Sequence, residues 1–120
     1  MVHLIMKENI IVSKSYNFAI EIVSLYKFLT ENKREFVLSK QVLRSGTSIG
    51  ANMAEAQGSI SKREFIAKVH ISFKEAYETR YWLNILSDTA YISKEQFVPL
   101  NSEINQIIKI LTSILKSSKS

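Results

Sequence analysis

Gln41-Val-Leu-Arg-Ser-Gly46-Thr-Ser-Ile-Gly50-Ala-Asn-Met-Ala54-Glu-Ala-Gln-Gly58 is the stretch that decides the fold. Small residues recur every four positions, at Gly46, Gly50 and Ala54. A polar row runs beside them at Arg44, Ser48, Asn52 and Glu55, and Val42, Leu43, Ile49 and Met53 fill the remaining sides. Spacings of three and four stack side chains on one helical face. The stretch therefore predicts a helix with a small face, a polar face and an apolar face. A glycine inside a helix costs about 1 kcal/mol relative to alanine. Two of them imply close approach by a neighbouring backbone, so this helix is expected to be central and touched on several sides.

Outward from it, turn-formers are scarce. One proline and three glycines in 120 residues argue against an all-β chain. A hydrophobic share of 46% suits one domain with one core. The absence of cysteine excludes disulfides and thiolate metal sites. No apolar run approaches the ~18 residues of a membrane span. The start, Met1 to Asn9, places apolar residues before charge, the reverse of a signal peptide. A cytoplasmic protein without membrane contact is expected. Sixteen Lys and Arg against eleven Asp and Glu leave a net charge of +5, which permits nucleic-acid binding without demanding it.

Helical periodicity divides the chain into four. Residues 1–9 read as a loose start. The first helix covers roughly 10–31, with Ile11, Phe18, Ile22, Leu25 and Leu29 on one face. The polar run Glu31 to Glu35 is a loop, and the second helix covers roughly 35–57, with Gly58 as its stop. Ser61 followed by Glu64 is a capping-box pattern, with Ile60 placed to staple onto Phe65. It opens a third helix over 61–88, carrying Phe65, Ile66, Val69, Phe73, Ala76, Tyr77, Leu83 and Leu86. Ser93 and Gln96 repeat the pattern and open a fourth over 93–116, with Pro99 near its first turns, where proline costs least. Short loops make sequential helices antiparallel neighbours. The predicted fold is all-α, a single-domain up-down-up-down four-helix bundle.

Several of these segments resemble one bacterial family. They are Gln41 to Ser45, Ser48 to Ala56, Ser61 to Ile66, Lys74 to Ala76 and Glu78 to Leu83. The chain is similar over nearly its whole length to the four-helix bundle proteins encoded inside intervening sequences of 23S rRNA genes. Gly50 stands where many relatives have proline, and Ala56 where many have glycine. The resemblance implies an antiparallel bundle that assembles as a ring, a homopentamer, with no established catalytic activity. The ribosomal label sometimes attached to the family reflects gene location. A more distant resemblance, to the accessory protein of diversity-generating retroelements, implies binding of nucleic acid and of a reverse transcriptase through basic surface.

The residues themselves give little chemistry. His3 and His70 are far apart in sequence, and the Glu-x-x-His pairs of di-iron bundles are missing, so no metal or cofactor is expected. No phosphate-binding loop is present, and Ser45 and Ser48 sit among glycines without the context of a nucleophile elbow. No catalytic residue is assigned. Arg44, Ser48, Asn52 and Glu55 read either as a ligand-recognition row or as a buried polar network with Glu75, Glu78 or Arg80 of the third helix. The network is preferred, because a buried charge needs a partner. Tyr77, Tyr81, Trp82 and Tyr91 could stack bases, but core or subunit-interface roles are commoner, and Tyr77, Tyr81 and Trp82 are the interface candidates. Lys33, Arg34, Lys40, Lys62, Arg63 and Lys68 are the candidate nucleic-acid contacts. Expected partners are other copies of the chain, RNA or DNA, and a nucleic-acid-processing protein. The alternative is a protein-interaction scaffold that touches no nucleic acid.

Overall fold

The computed structural model describes residues 2–118, without the side chains of residues 2–4. Four helices make up the described chain: α1 Val2–Glu31, α2 Leu38–Ala56, α3 Lys62–Asp88 and α4 Lys94–Ser117. Each packs on its sequence neighbours, and α1 also packs on α4, while the diagonal pairs make no close backbone approach. The result is an antiparallel bundle measuring 45 × 22 × 18 Å. No helix among the described residues is long and apolar enough to cross a membrane.

The start of α1 corrects the sequence reading. Val2 to Asn9 are helical, not loose. Nothing in that segment breaks a helix, but Ile5, Met6 and Ile10 lie exposed, away from the core stripe. Apolar residues on both sides of the helix blur the periodicity on which the reading relied. The His3 side chain lies outside the described residues.

The start of α2 is later than the pattern implies, at Leu38, because Glu35 serves as its cap. The Glu35 carboxylate accepts hydrogen bonds from the Ser39 amide at 2.7 Å and the Val37 amide at 3.3 Å. These are orphan donors of a first helical turn. Arg34, at φ 54°, turns the chain into position through the left-handed region. Burial pushes the Glu35 pKa up, but hydrogen bonds from the Ser39, Leu38 and Val37 amides outweigh it and hold the carboxyl below its usual range. At the other end Gly58 is not left-handed; its amide simply donates to the Glu55 carbonyl at 3.0 Å.

The turn into α3 keeps half of the expected motif. The Ser61 hydroxyl accepts from the Glu64 amide at 3.1 Å. The staple does not form, since Ile60 is 93% exposed. The turn into α4 is complete: the Gln96 amide donates to Ser93 Oγ at 3.2 Å, and the Ser93 amide donates to Gln96 Oε1 at 2.9 Å. Between the two helices, Tyr91 N–H donates to the Leu86 carbonyl at 2.9 Å and Ala90 N–H to the Ser87 carbonyl at 3.0 Å. This pairing is a Schellman motif, with Ala90 at φ 63° where glycine is usual.

Ile11, Phe18, Ile22, Ile49, Met53, Leu83, Leu86, Ile107 and Leu111 are fully enclosed in the core. The α3 stripe differs from the sequence reading. Val69, Ser72, Ala76, Thr79, Leu83 and Leu86 are buried, whereas Phe73 is half-buried and Tyr77 exposed. Small hydroxyls take the central positions because α2 lies close. Ser72 donates to the Ile49 carbonyl at 2.9 Å, and Thr79 Oγ1 lies 2.9 Å from Ser45 Oγ. Each hydroxyl of this seam therefore has a partner, as burial requires. On its other side α2 meets α1. A Cβ on Gly46 would lie 2.9 Å from the Ile22 methyl and methylene carbons, and one on Gly50 would lie 3.1 Å from the Ser15 carbonyl oxygen. Ala54, the third member of the small row, is exposed.

Two expectations follow from these contacts. Gly46→Leu and Gly50→Leu each lower stability by about 1–3 kcal/mol or more through overpacking against α1, read as a fall in melting temperature. Glu35→Ala lowers stability at neutral pH by about 1 kcal/mol. Because the folded carboxyl titrates below its unfolded value of about 4.3, that contribution is complete above this value and fades as pH drops through the folded one. The gap between wild type and Glu35→Ala in urea unfolding therefore closes below about pH 4.

Candidate functional site

The polar row of α2 does not form one buried network. Arg44 reaches across to α3, where its guanidinium pairs with Glu75 at 3.2 Å and with Glu78. Glu78 also accepts from Trp82 Nε1 at 2.9 Å. This four-residue cluster lies at the surface: the Arg44 side chain is 50% exposed and Glu78 34%. Ser48 and Asn52 turn back on their own helix, to the Arg44 carbonyl at 2.6 Å and the Ser48 carbonyl at 2.8 Å. Glu55 pairs separately with Lys68 at 2.7 Å. Arg80 faces the other way and donates to Asn105 of α4 at 3.0 Å. The α2–α3 gap is narrow enough to demand small hydroxyls, so long charged side chains are pushed to its rim.

The basic candidates fall into two groups at opposite ends of the bundle. Lys33, Arg34 and Lys40 surround the α1–α2 turn, and Lys62, Arg63 and Lys68 lie at the start of α3. Lys33 rests over the Phe28 ring, 5.8 Å from its centroid, and Lys68 is held by Glu55. Of the aromatic candidates, Tyr77 and Tyr81 are exposed and Trp82 is half-buried. Their rings form edge contacts, Tyr77 with Phe73 at 5.0 Å and Tyr81 with Trp82 at 5.1 Å.

No group of three or more His, Asp or Glu among the described residues could hold a metal ion. The bundle surface carries shallow recesses instead. One of about 220 Å³, between α3 and α4, is lined by His70, Phe73, Thr112, Leu115 and Lys116. On the α1–α4 side opposite charges meet. Lys14 bridges to Glu103 at 3.2 Å, and Glu21 stands nearby with its pKa raised, first by partial burial and then by Glu103, against the pull of Lys14.

Residues 7–113 match the model of the 23S rRNA-intervening sequence protein family. The chain belongs to that family. A crystal structure of a protein of unknown function, from the S23 ribosomal protein family of Bacteroides thetaiotaomicron, shares its fold at a TM-score of 0.90. It is 52% identical, over 92% of this chain and 98% of its own. No curated protein matches. Membership in the 23S rRNA-intervening sequence family accounts for the four-helix architecture and assigns no activity.

Two features of this family member escaped the sequence reading. The hydroxyl seam of Ser45, Ser72 and Thr79 was visible as heptad-like spacing, with Val69, Ser72, Ala76, Thr79 and Leu83 at intervals of three and four. Weighting by hydrophobicity selected Phe73 and Tyr77 in its place. The division of charge among the faces had no local signal, because it depends on partners 31 to 89 residues apart.

The ion-pair geometry gives a concrete expectation. In a double-mutant cycle by urea unfolding, Arg44→Ala and Glu78→Gln couple by about 0.5–1 kcal/mol, as suits a half-exposed pair. Arg44→Ala and Glu55→Gln couple by nearly zero. Strong coupling in the second cycle would restore the single network.

Proposed function

We propose that this protein is a non-enzymatic bundle that assembles with copies of itself and binds nucleic acid, or a nucleic-acid-processing protein, through its basic surface. The observation that carries the reading is the outward side of α1. Met6, Ile10, Tyr16 and Ile20 are each at least half exposed there, opposite the buried Ile11, Phe18, Ile22 and Leu25. A helix on the surface of a monomer has a polar back. One with two apolar sides supports a second buried contact, and the ring of five implied by the resemblance supplies it.

Assembly also gives meaning to a modest charge. One copy carries +5, and five would carry a formal charge of roughly +25, enough to concentrate a polyanion. Lys33, Arg34 and Lys40 at one end, and Lys62 and Arg63 at the other, would each be repeated around the axis. The same reading places the protein in the cytoplasm. The second reading, a scaffold that contacts only proteins, is favoured by the aliphatic character of the α1 stripe.

Light scattering at micromolar concentration is expected to give an oligomer, a pentamer by the family resemblance. Ile20→Glu, on the outward side of α1, should lower that mass while leaving the helical circular dichroism unchanged. RNA or DNA binding should weaken steeply with salt, since each neutralised phosphate releases counterion. The Lys62→Glu, Arg63→Glu variant should bind less and assemble normally. A monomeric wild type would remove the assembly reading. An oligomer that ignores nucleic acid at low salt would leave the scaffold.

A further inference from the structure

On the α3–α4 side of the bundle, cations and aromatic rings share the exposed surface. On α3, His70, Lys74, Tyr77 and Tyr81 follow one another at spacings of four, three and four, so they share one face. All four are exposed. On α4, Asn105, Lys109, Thr112 and Lys116 repeat that spacing. Their face turns toward α3, because Asn105 accepts from Arg80 and because Thr112 and Lys116 share a recess with His70 and Phe73. The two stripes stand side by side on the outer surface, the α3 stripe reaching toward α4 at His70 and Tyr77 and toward the Arg44–Glu78 cluster at Tyr81, whose ring meets Trp82.

The carboxylates have been drawn off this side. Between Glu64 at one end and Asp88 and Glu95 at the other, α3 and α4 carry only Glu75, Glu78 and Glu103. Arg44 holds the first two toward α2, and Lys14 holds the third toward α1. Four cations remain on the groove side, Lys74, Arg80, Lys109 and Lys116, and none of them forms an ion pair among the described residues. Arg80 lies over the Tyr77 ring, 4.7 Å from its centroid, which fixes that ring against the helix.

We infer that the α3–α4 face binds single-stranded nucleic acid, with bases stacked on Tyr77 and Tyr81 and phosphates neutralised by Lys74, Arg80, Lys109 and Lys116. The inference rests on the nucleic-acid reading above and moves its site from the bundle ends to this face. Cations flanking exposed aromatic rings are the elements of a single-strand platform. A duplex keeps its bases stacked and paired, so it would meet the cations alone. A second copy of the chain is the competing occupant, since its α1–α4 side carries Glu21 and Glu103, and the assembly mass read below separates the two.

The test is fluorescence anisotropy with a labelled single-stranded RNA of about twelve nucleotides and with its duplex. Wild type is expected to prefer the single strand by at least about tenfold, with a salt slope near 3 for four phosphates at ~0.7 each. Tyr77→Ala, Tyr81→Ala should weaken single-strand binding by at least about thirtyfold, and Tyr77→Phe, Tyr81→Phe should restore it, since the ring and not the hydroxyl stacks. Lys74→Gln, Lys109→Gln should lower the slope by about 1.4. Equal affinity for duplex overturns the inference, as does unchanged binding by the alanine variant. If binding is lost only in Lys62→Glu, Arg63→Glu, the bundle ends are the site and this face is not. Wild type that ignores both probes at low salt sinks the nucleic-acid reading itself. A fall in assembly mass on Tyr77→Ala, Tyr81→Ala would identify the face as a contact between copies and overturn the inference.

Discussion

Close approach on both sides of α2 is the constraint on which the bundle depends. Against α1, Gly46 and Gly50 leave no room for a methyl group beside Ile22 and the Ser15 carbonyl. Against α3, Ser45, Ser72, Ala76 and Thr79 keep the seam thin. A thin seam brings polar backbone and hydroxyl groups together out of water, so it holds only if they pair. The Thr79–Ser45 and Ser72–Ile49 bonds meet that condition. Larger residues could fill the same volume only by moving the helices apart, which would shift every layer of the core between α1 and α3.

The thin seam also explains where the charges lie. Arg44, Glu75 and Glu78 have stems too long for the gap and emerge at its edge, where they find one another. The two glutamates on the α2-facing side of α3 are thereby occupied, and the opposite side is left to lysine, arginine and tyrosine. Packing and surface electrostatics are thus linked: the seam of small residues lines up the ion pairs beside it. The bundle has a mixed-charge α1–α4 side, around Lys14, Glu21 and Glu103, and a basic α3–α4 side.

Most of the fold was legible because its signals are local. Apolar residues at spacings of three and four mark the core faces of α1 and α4, and the Ser93–Gln96 box marks a boundary by itself. Legibility failed where a residue has two possible employments. Glu35 looks like the first residue of a helix and is its cap. Ile60 looks like a staple and stands in solvent. Ser72 and Thr79 look polar and are core. The candidate site was less legible still. Arg44 meets Glu75 and Glu78, whereas Arg80, offered as a further partner, turns to Asn105, and Glu55, grouped by helical spacing, turns to Lys68. Spacing along one helix says which side chains are neighbours on that helix, and nothing about which bend toward the next.

The order of contacts around the square has a consequence for how the chain folds. Three of its four helix interfaces join elements that are adjacent in sequence, and only the α1–α4 interface closes a long loop. Its Lys14–Glu103 pair spans 89 residues. Successive hairpins carry a small loop-closure entropy, whereas docking α4 onto α1 must confine nearly the whole chain at once. Proteins dominated by local contacts fold quickly, on the microsecond to millisecond scale. Three local interfaces put this bundle in that class, with α2, pinned between two partners near it in sequence, the natural place for a nucleus and the α1–α4 interface the last expected to form.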